Sequence, residues 1–334
     1  MKRTLLFSAF LVGTYVLILS MTLSHRDAAG YENCGCHPDK ADKQFIHKPV
    51  GEGKCESCHK PSGQKHPRVK KEAFILADNG KAGLCKECHE PKDTMKFVHG
   101  PVKKGDCLAC HDVHQSDNKS QLKAPGGQLC FMCHEKAKFY REHPHKPIAE
   151  AKCTGCHDPH QSNVKYMLKG QGKQLCILCH NKQTFTGKSV HAPIQKNDCG
   201  ACHVTHGTPF SNLLKKEFPE ELYLPFSKEK YGLCFSCHND KLADDLDTET
   251  QTNFRNGNIN IHYIHIKKNE KGRSCKTCHD PHAAGQLRLI SDKIPGFGKW
   301  RIPIRYTKTN NGGTCVVGCH KPKSYDRINP VNNP

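Results

Sequence analysis

The chain has 334 residues, only 36% of them apolar, with 22 cysteines, 24 histidines, one tryptophan and a formal charge of +19. So little aliphatic side chain excludes a conventional α/β enzyme built around a large core. So many cysteines exclude a solvated, disordered coil, and something other than side chains must supply the interior.

In chain order, the first element is an apolar run at residues 5–23, preceded by Lys2 and Arg3 and followed by Arg26 and Asp27. This is the pattern of an export signal, longer than the usual apolar core of a cleaved one and close to a membrane span. Residues 1–28 are therefore read as a signal peptide or an N-terminal membrane anchor, and both stay open. Either places the rest of the chain outside the cytoplasm, with a periplasmic location expected and membrane contact through residues 5–23. No lipid-attachment motif precedes Cys34, and His25, at the end of the run, is not expected to be a ligand.

The 22 cysteines then fall into eleven close pairs, each followed by histidine. Cys34/Cys36/His37 has one intervening residue. Nine pairs read C-x-x-C-H: Cys55/Cys58/His59, Cys85/Cys88/His89, Cys107/Cys110/His111, Cys130/Cys133/His134, Cys153/Cys156/His157, Cys176/Cys179/His180, Cys199/Cys202/His203, Cys234/Cys237/His238 and Cys275/Cys278/His279. Cys315/Cys319/His320 has three intervening residues. C-x-x-C-H is the attachment signature of c-type haem: two thioethers reach the porphyrin vinyl groups, and the next residue lies beneath the iron, where its imidazole ligates it. A lone C-x-x-C would equally suit a zinc knuckle or a redox dithiol, and a disulfide framework also gives an even count. None of these requires a histidine after the second cysteine. The expectation is eleven haems c, or ten if the Cys34/Cys36 motif is not used, with His37, His59, His89, His111, His134, His157, His180, His203, His238, His279 and His320 as proximal ligands.

Thirteen histidines remain, and most recur at fixed offsets. His114, His160, His206 and His282 follow a motif as C-H-x-x-H, with His66 in a looser version. His47, His99, His145 and His191 lie eight residues before a motif, and His265 lies ten before Cys275. His143 and His262 are further candidates beside His145 and His265. These twelve suffice for a histidine on the distal side of every iron, so methionine is not needed, although the sequence does not say which histidine serves which iron.

The motifs also repeat. Cys85 to Cys130 is 45 residues; Cys130 to Cys176, Cys107 to Cys153 and Cys153 to Cys199 are each 46. Residues 29–80 read as a degenerate first haem pair, 81–206 as three tandem units, 207–284 as a fourth unit with an insertion near 241–258, and 285–334 as a C-terminal segment with the last motif. Such units should stack neighbour on neighbour. The repeat resembles the doubled C-x-x-C-H family of multihaem cytochromes c over about residues 34–282. More loosely, the chain is similar to the decahaem cytochromes of outer-membrane porin conduits, from which the Cys34 and Cys315 motifs depart. That resemblance implies an electron carrier of anaerobic respiration in a metal-respiring type of bacterium. Its implied partners are other redox proteins: an inner-membrane quinol oxidase and outer-membrane porin-cytochrome proteins.

Little regular secondary structure is expected: short helices and loops wrapped around a stacked haem array, with single helical turns after Leu129, Leu175 and Leu233. Alternation through Leu287, Leu289, Trp300, Ile302, Ile304 and Tyr306 predicts a small hairpin in residues 285–306. The charge of +19 falls to about +8 with eleven ferric haems and about −3 when all are reduced, because each brings two propionates. Much of the lysine excess is then propionate-facing, and a nucleic-acid partner is not expected. The reading is an electron-transfer wire with no catalytic residues. The alternatives are a nitrite, hydroxylamine or tetrathionate reductase with one open haem, at the Cys34 or Cys315 motif, and an anchored quinol dehydrogenase. Self-association stays open.

Overall fold

A computed structural model describes residues 37–66, 68, 72–296 and 298–334. Residues 5–23, His25, Cys34 and Cys36 lie outside these. No helix among the described residues is long and apolar enough to cross a membrane. Regular structure is sparse: the longest helices, Gly126–Phe131 and Ile261–Ile266, have six residues, and many strands have two. Contacts group the chain into two compact units. One holds the described residues up to Asn79 together with Asp112–Gln121; the other holds Gly80–His111 and Leu122–Pro334.

In the first unit, Phe45–Ile46 pairs antiparallel with Gln115–Ser116, and His59–Pro61 with Phe74–Leu76. In the second, the same two-residue pairing recurs three times. Phe97–Val98 pairs with Gln161–Ser162, His143–Pro144 with Gly207–Thr208, and Ser189–Val190 with Ala283–Ala284. Each first strand is followed directly by a histidine (His47, His99, His145, His191) at the N-cap position of a four-residue helix. Pro49, Pro101, Pro147 and Pro193 sit in the first turn of these helices, where a missing N–H costs nothing and the fixed φ favours initiation.

The two motifs of a repeat differ in backbone. In the first, a helical turn carries the leading cysteine: Ala82–Lys86, Gly126–Phe131, Lys173–Cys176 and Gly232–Phe235. These include the turns expected after Leu129, Leu175 and Leu233. In the second, the cysteines open a 3-10 turn at Cys107–Ala109, Cys153–Gly155 and Cys199–Ala201. The chain then returns so that His111 bridges Leu122, His157 bridges Leu168, His203 bridges Leu214 and His279 bridges Ile290.

The two motifs of one repeat meet at Gly127, where a Cβ would stand 2.5 Å from the Cβ of Ala151. Gly127→Val is therefore expected to force the motifs apart and destabilise the holoprotein by about 1–3 kcal/mol, as overpacking does. Thermal unfolding followed at the haem absorbance checks this.

The C-terminal segment departs from the rest. Lys293–Pro295, Arg301–Lys308, Gly312–Val317 and His320–Asp326 form a four-stranded antiparallel meander. Ile294, Ile302 and Ile304 are buried in it, with Ile290 and Val317 packed alongside. The predicted hairpin is present but is only half of this sheet, and it begins later than expected. Leu287–Leu289 is not a strand but a 3-10 turn, with Arg288 and Leu289 at φ 60° and 57°. Cys315 lies on the third strand and His320 opens the fourth.

Candidate metal centres

The histidines that follow a C-x-x-C come to lie beside histidines from elsewhere in the chain. Ring centroids are 6.1 Å apart for His59 and His114, for His99 and His134, for His111 and His160, and for His203 and His282. They are 6.0 Å apart for His145 and His180 and for His191 and His238, and 6.2 Å for His157 and His206. His37 and His66 stand at 5.9 Å with their planes at 34°, whereas the His59/His114 planes differ by 8°. Two metal–imidazole bonds of about 2 Å on opposite sides of one ion place the centroids about 6 Å apart. The pairs fit an iron held between two imidazoles.

The pairing follows one rule. A first-motif histidine meets the pre-motif histidine of the repeat before it, as His134 meets His99. A second-motif histidine meets the C-H-x-x-H histidine of the repeat after it, as His111 meets His160. Adjacent repeats thus exchange two histidines, and the two-residue strands bring them in. The N–H of His99 donates to the carbonyl of His160 at 2.9 Å, and its Nδ1 to that of Pro159 at 3.0 Å. His191 is bound likewise to His282 (3.0 Å) and Pro281 (2.9 Å). The N–H of His145 reaches the carbonyl of His206, and that of His47 the carbonyl of His114. A carbonyl can only accept, so each Nδ1 bound to one carries the proton and leaves Nε2 for a metal.

Second-motif histidines are oriented differently. Nδ1 of His157, His203 and His279 donates to the carbonyls of Tyr166 (2.8 Å), Asn212 (3.0 Å) and Arg288 (3.1 Å). Those three acceptors lie in the left-handed region, at φ 62°, 54° and 60°. Non-glycine residues seldom adopt this conformation, and strain of this kind concentrates where a site needs it. Here it turns one carbonyl back onto an imidazole.

The last two sites use the insertion. His262 lies beside His279; its Nδ1 is 2.9 Å from Thr252 Oγ1, and burial, then His279 and His265, push its pKa down to about 4. His265 bonds the carbonyl of Ile261 through Nδ1 at 2.8 Å, and burial lowers it, with His320 among the charges it feels. Both therefore feel the charge of a motif histidine, where the sequence favoured His265. Asn260, wholly buried, holds this loop by donating to the carbonyls of Leu242 and Asp245. His143 is exposed on its strand with its backbone paired to Thr208; His145, two residues on, is the one beside His180. His47 and His89 occupy the repeat positions of His99 and His134.

Burial lowers the pKa of His114, His160, His206 and His282, which keeps them as the neutral imidazoles that ligate metals. Cys130 and Cys176 are pushed up to about 11, first by burial and then by Cys153 and Cys199; the Cys176 and Cys199 sulfurs are 3.9 Å apart. The same neighbour effect links Cys110 to Cys133, Cys156 to Cys179, Cys202 to Cys234 and Cys278 to Cys315. Cys234 and Cys275 share a hydrogen bond. From Cys107 to Cys319 the motifs therefore follow one another in space in their sequence order. None of the described cysteines is in a disulfide, and no cluster of three or more metal-binding side chains suited to a bare ion occurs among the described residues.

Among the described attachment cysteines, Cys55, Cys133, Cys179 and Cys319 are exposed to solvent. Cys88 and Cys237 are exposed and Cys58 is half-buried. The structure does not hold any of the three in a sulfur–sulfur contact of the kind that joins Cys176 to Cys199. As at Cys110, Cys133, Cys156, Cys179 and Cys202, the N–H of each donates to the carbonyl of the leading cysteine of its own motif (Cys55, Cys85 or Cys234), here at 3.2 Å. Cys237 Sγ is 3.9 Å from Ser236 Oγ, and Cys202 feels its charge after that of Cys234. For these three residues, as for the other attachment cysteines, the assignment to haem rests on the motif.

Two supporting residues were not singled out from the sequence. Asp158 Oδ1 accepts from the N–H of His160 (2.9 Å) and of Gln161 (3.2 Å); burial opposes ionisation, but these bonds win and hold its carboxyl below the usual range. Gln161, buried, accepts from the N–H of Thr94 and of Met95. Asp158→Ala is expected to loosen His160 and cost about 1–2 kcal/mol, with Asp158→Asn nearly neutral. Denaturant titration of the holoprotein checks both.

A family model described as the doubled CXXCH motif matches residues 47–94, 99–139, 145–185 and 191–243, more than half the chain. No curated protein matches. Each matched segment opens on a pre-motif histidine (His47, His99, His145 or His191), so the family's unit is offset by one motif from the repeat read above, and it covers less than residues 34–282. With four such units along it, the chain belongs to the doubled CXXCH family of multihaem cytochromes c.

Proposed function

We propose that the protein is an electron-transfer wire of eleven haems c, each held between two histidines, working outside the cytoplasm. The observation that carries this reading is the recurrence of imidazole pairs at about 6 Å along consecutive motifs. Bound haem supplies reversible one-electron chemistry. The chain's own contribution is to orient imidazoles such as those of His99, His191, His157 and His203 through backbone carbonyls, to keep His114, His160, His206 and His282 neutral by burial, and to hold neighbouring attachment cysteines side by side. The 5.9 Å His37/His66 pair favours eleven haems over ten. The assigned distal ligands are His66, His114, His99, His160, His145, His206, His191, His282, His262 and His265, and His47 is a further candidate. Its proposed partners are other redox proteins, quinol-oxidising on one side and porin-associated on the other.

The reading is tested by mixing the reduced holoprotein with one-electron oxidants and, separately, with nitrite, hydroxylamine and tetrathionate. Rapid, complete oxidation by ferricyanide with no catalytic turnover of the other three is the expected result. Sustained turnover of any one of them would transfer the assignment to a reductase with an open haem.

A further inference from the structure

The C-terminal meander has two faces, and the cofactor cysteine is on only one. In register, Tyr306 stands opposite Cys315 and Ile304 opposite Val317, so these residues share a face with the buried Ile302. The other face carries Lys293 opposite Pro303, Arg301 opposite Pro295, and Arg305 opposite Val316. Lys293, Arg301 and Arg305 are exposed, and Val316 is 43% exposed among them. Lys293 falls across from the point midway between the two arginines, so the three cations form a triangle with sides on the order of 7–13 Å. Thr307 and Thr314 continue this face, with Ser324 opposite Thr314, and its carboxylate, Asp326 opposite Gly312, lies at the far end of the third strand from Val316. None of the three cations is ion-paired among the described residues.

Some cations elsewhere in the chain sit on carboxylates, as Lys228 does on Asp240 and Asp244. These three do not. They are on the face away from the Cys315 side chain, and they surround an apolar side chain rather than water alone. Charge complementarity names the occupant as an acidic surface, and position names its kind. Val316 is bonded directly to Cys315, so a molecule seated on this face is one strand's thickness from the leading cysteine of the last motif.

We propose that Lys293, Arg301, Arg305 and Val316 form the docking surface of an acidic one-electron carrier protein, which exchanges electrons with the haem of the Cys315 motif. The proposal rests on the electron-transfer reading above. Such surfaces act mainly on the association rate and are sensitive to salt.

The test uses the full holoprotein and two carriers of opposite charge: flavodoxin, acidic, and mitochondrial-type cytochrome c, basic. Stopped-flow rate constants are measured over a range of ionic strength. The variant is K293E/R301E/R305E. A control with the same charge change, K96E/K103E/K104E, alters exposed lysines outside the sheet. The expected result is that exchange with flavodoxin slows at least tenfold at low salt in the sheet variant and loses its salt dependence. The control should change it less than threefold. Oxidation by ferricyanide, followed in every variant, reports the wire itself; if it fails, the electron-transfer reading fails and not merely this surface. An equal effect of the two variants on flavodoxin would overturn the proposal. So would capture of the wild type by phosphatidylglycerol vesicles, abolished in the sheet variant, without any effect of that variant on flavodoxin, since the face would then be a lipid contact.

Discussion

His160→Ala is expected to convert one low-spin iron, about one in eleven, into a high-spin centre that binds cyanide. The imidazole it removes is the one 6.1 Å from His111. No other histidine among the described residues is placed to replace it, because His99, bonded to its backbone, belongs beside His134. The carbonyl that receives His99 survives the substitution, so the neighbouring centre should stay low-spin. His262→Ala should act the same way on the site of His279, and His265→Ala on that of His320. His143→Ala should change nothing, since its ring is exposed and its backbone pairing is retained. Optical and EPR spectra of the four variants check the rule of exchange between repeats. A low-spin His160→Ala protein, or a high-spin His143→Ala protein, would break it.

The second large effect concerns folding. Protein produced without haem attachment is expected to show no cooperative unfolding transition, in calorimetry or in circular dichroism. Only a dozen apolar side chains are buried among the described residues, and the one aliphatic cluster is Ile294, Ile302 and Ile304. Leu178, Met132 and Leu108 sit inside C-x-x-C motifs yet are 61%, 58% and 43% exposed. A chain that leaves such groups outward has no side-chain core to offset the entropy of ordering its loops. Burial by the porphyrins is the remaining source. A sharp two-state melt of the haem-free chain would show that the polypeptide holds itself together.

Much of the site was legible because haem attachment is local. Two cysteines and a histidine within five residues carry the signature, and no tertiary contact is needed to see it. For the same reason the signature does not tell which sulfurs the chain covers: Cys278 and Cys88 read alike in sequence, yet Cys278 is pushed up to about 11 by burial and Cys88 is exposed. The distal side is non-local. His160 is 49 residues from His111, and what joins them is a two-residue strand pair, Phe97–Val98 with Gln161–Ser162, too short to leave a periodicity. The pre-motif histidines were visible as a fixed offset, and the proline two residues later gives the physical reason for it. The insertion at 241–258 was visible only as a break in the repeat. Its use, to present Thr252 to His262 and to pack Phe254 at 5.0 Å from that ring, depends on the burial of Asn260. The hairpin was legible by alternation at Ile302 and Ile304, but its extension was not. The third strand begins Gly-Gly, and a Cβ on Gly313 would stand 2.7 Å from Tyr306 Cε2. Close approach of that kind leaves no hydrophobic pattern to read.

The central claim is that every iron is held between two histidines. Low-temperature EPR of the fully oxidised holoprotein, with and without cyanide, tests it most directly. The account predicts low-spin ferric signals for all the iron, unchanged by cyanide. A high-spin signal equal to one or more irons per chain, converted to low-spin by cyanide, would contradict it.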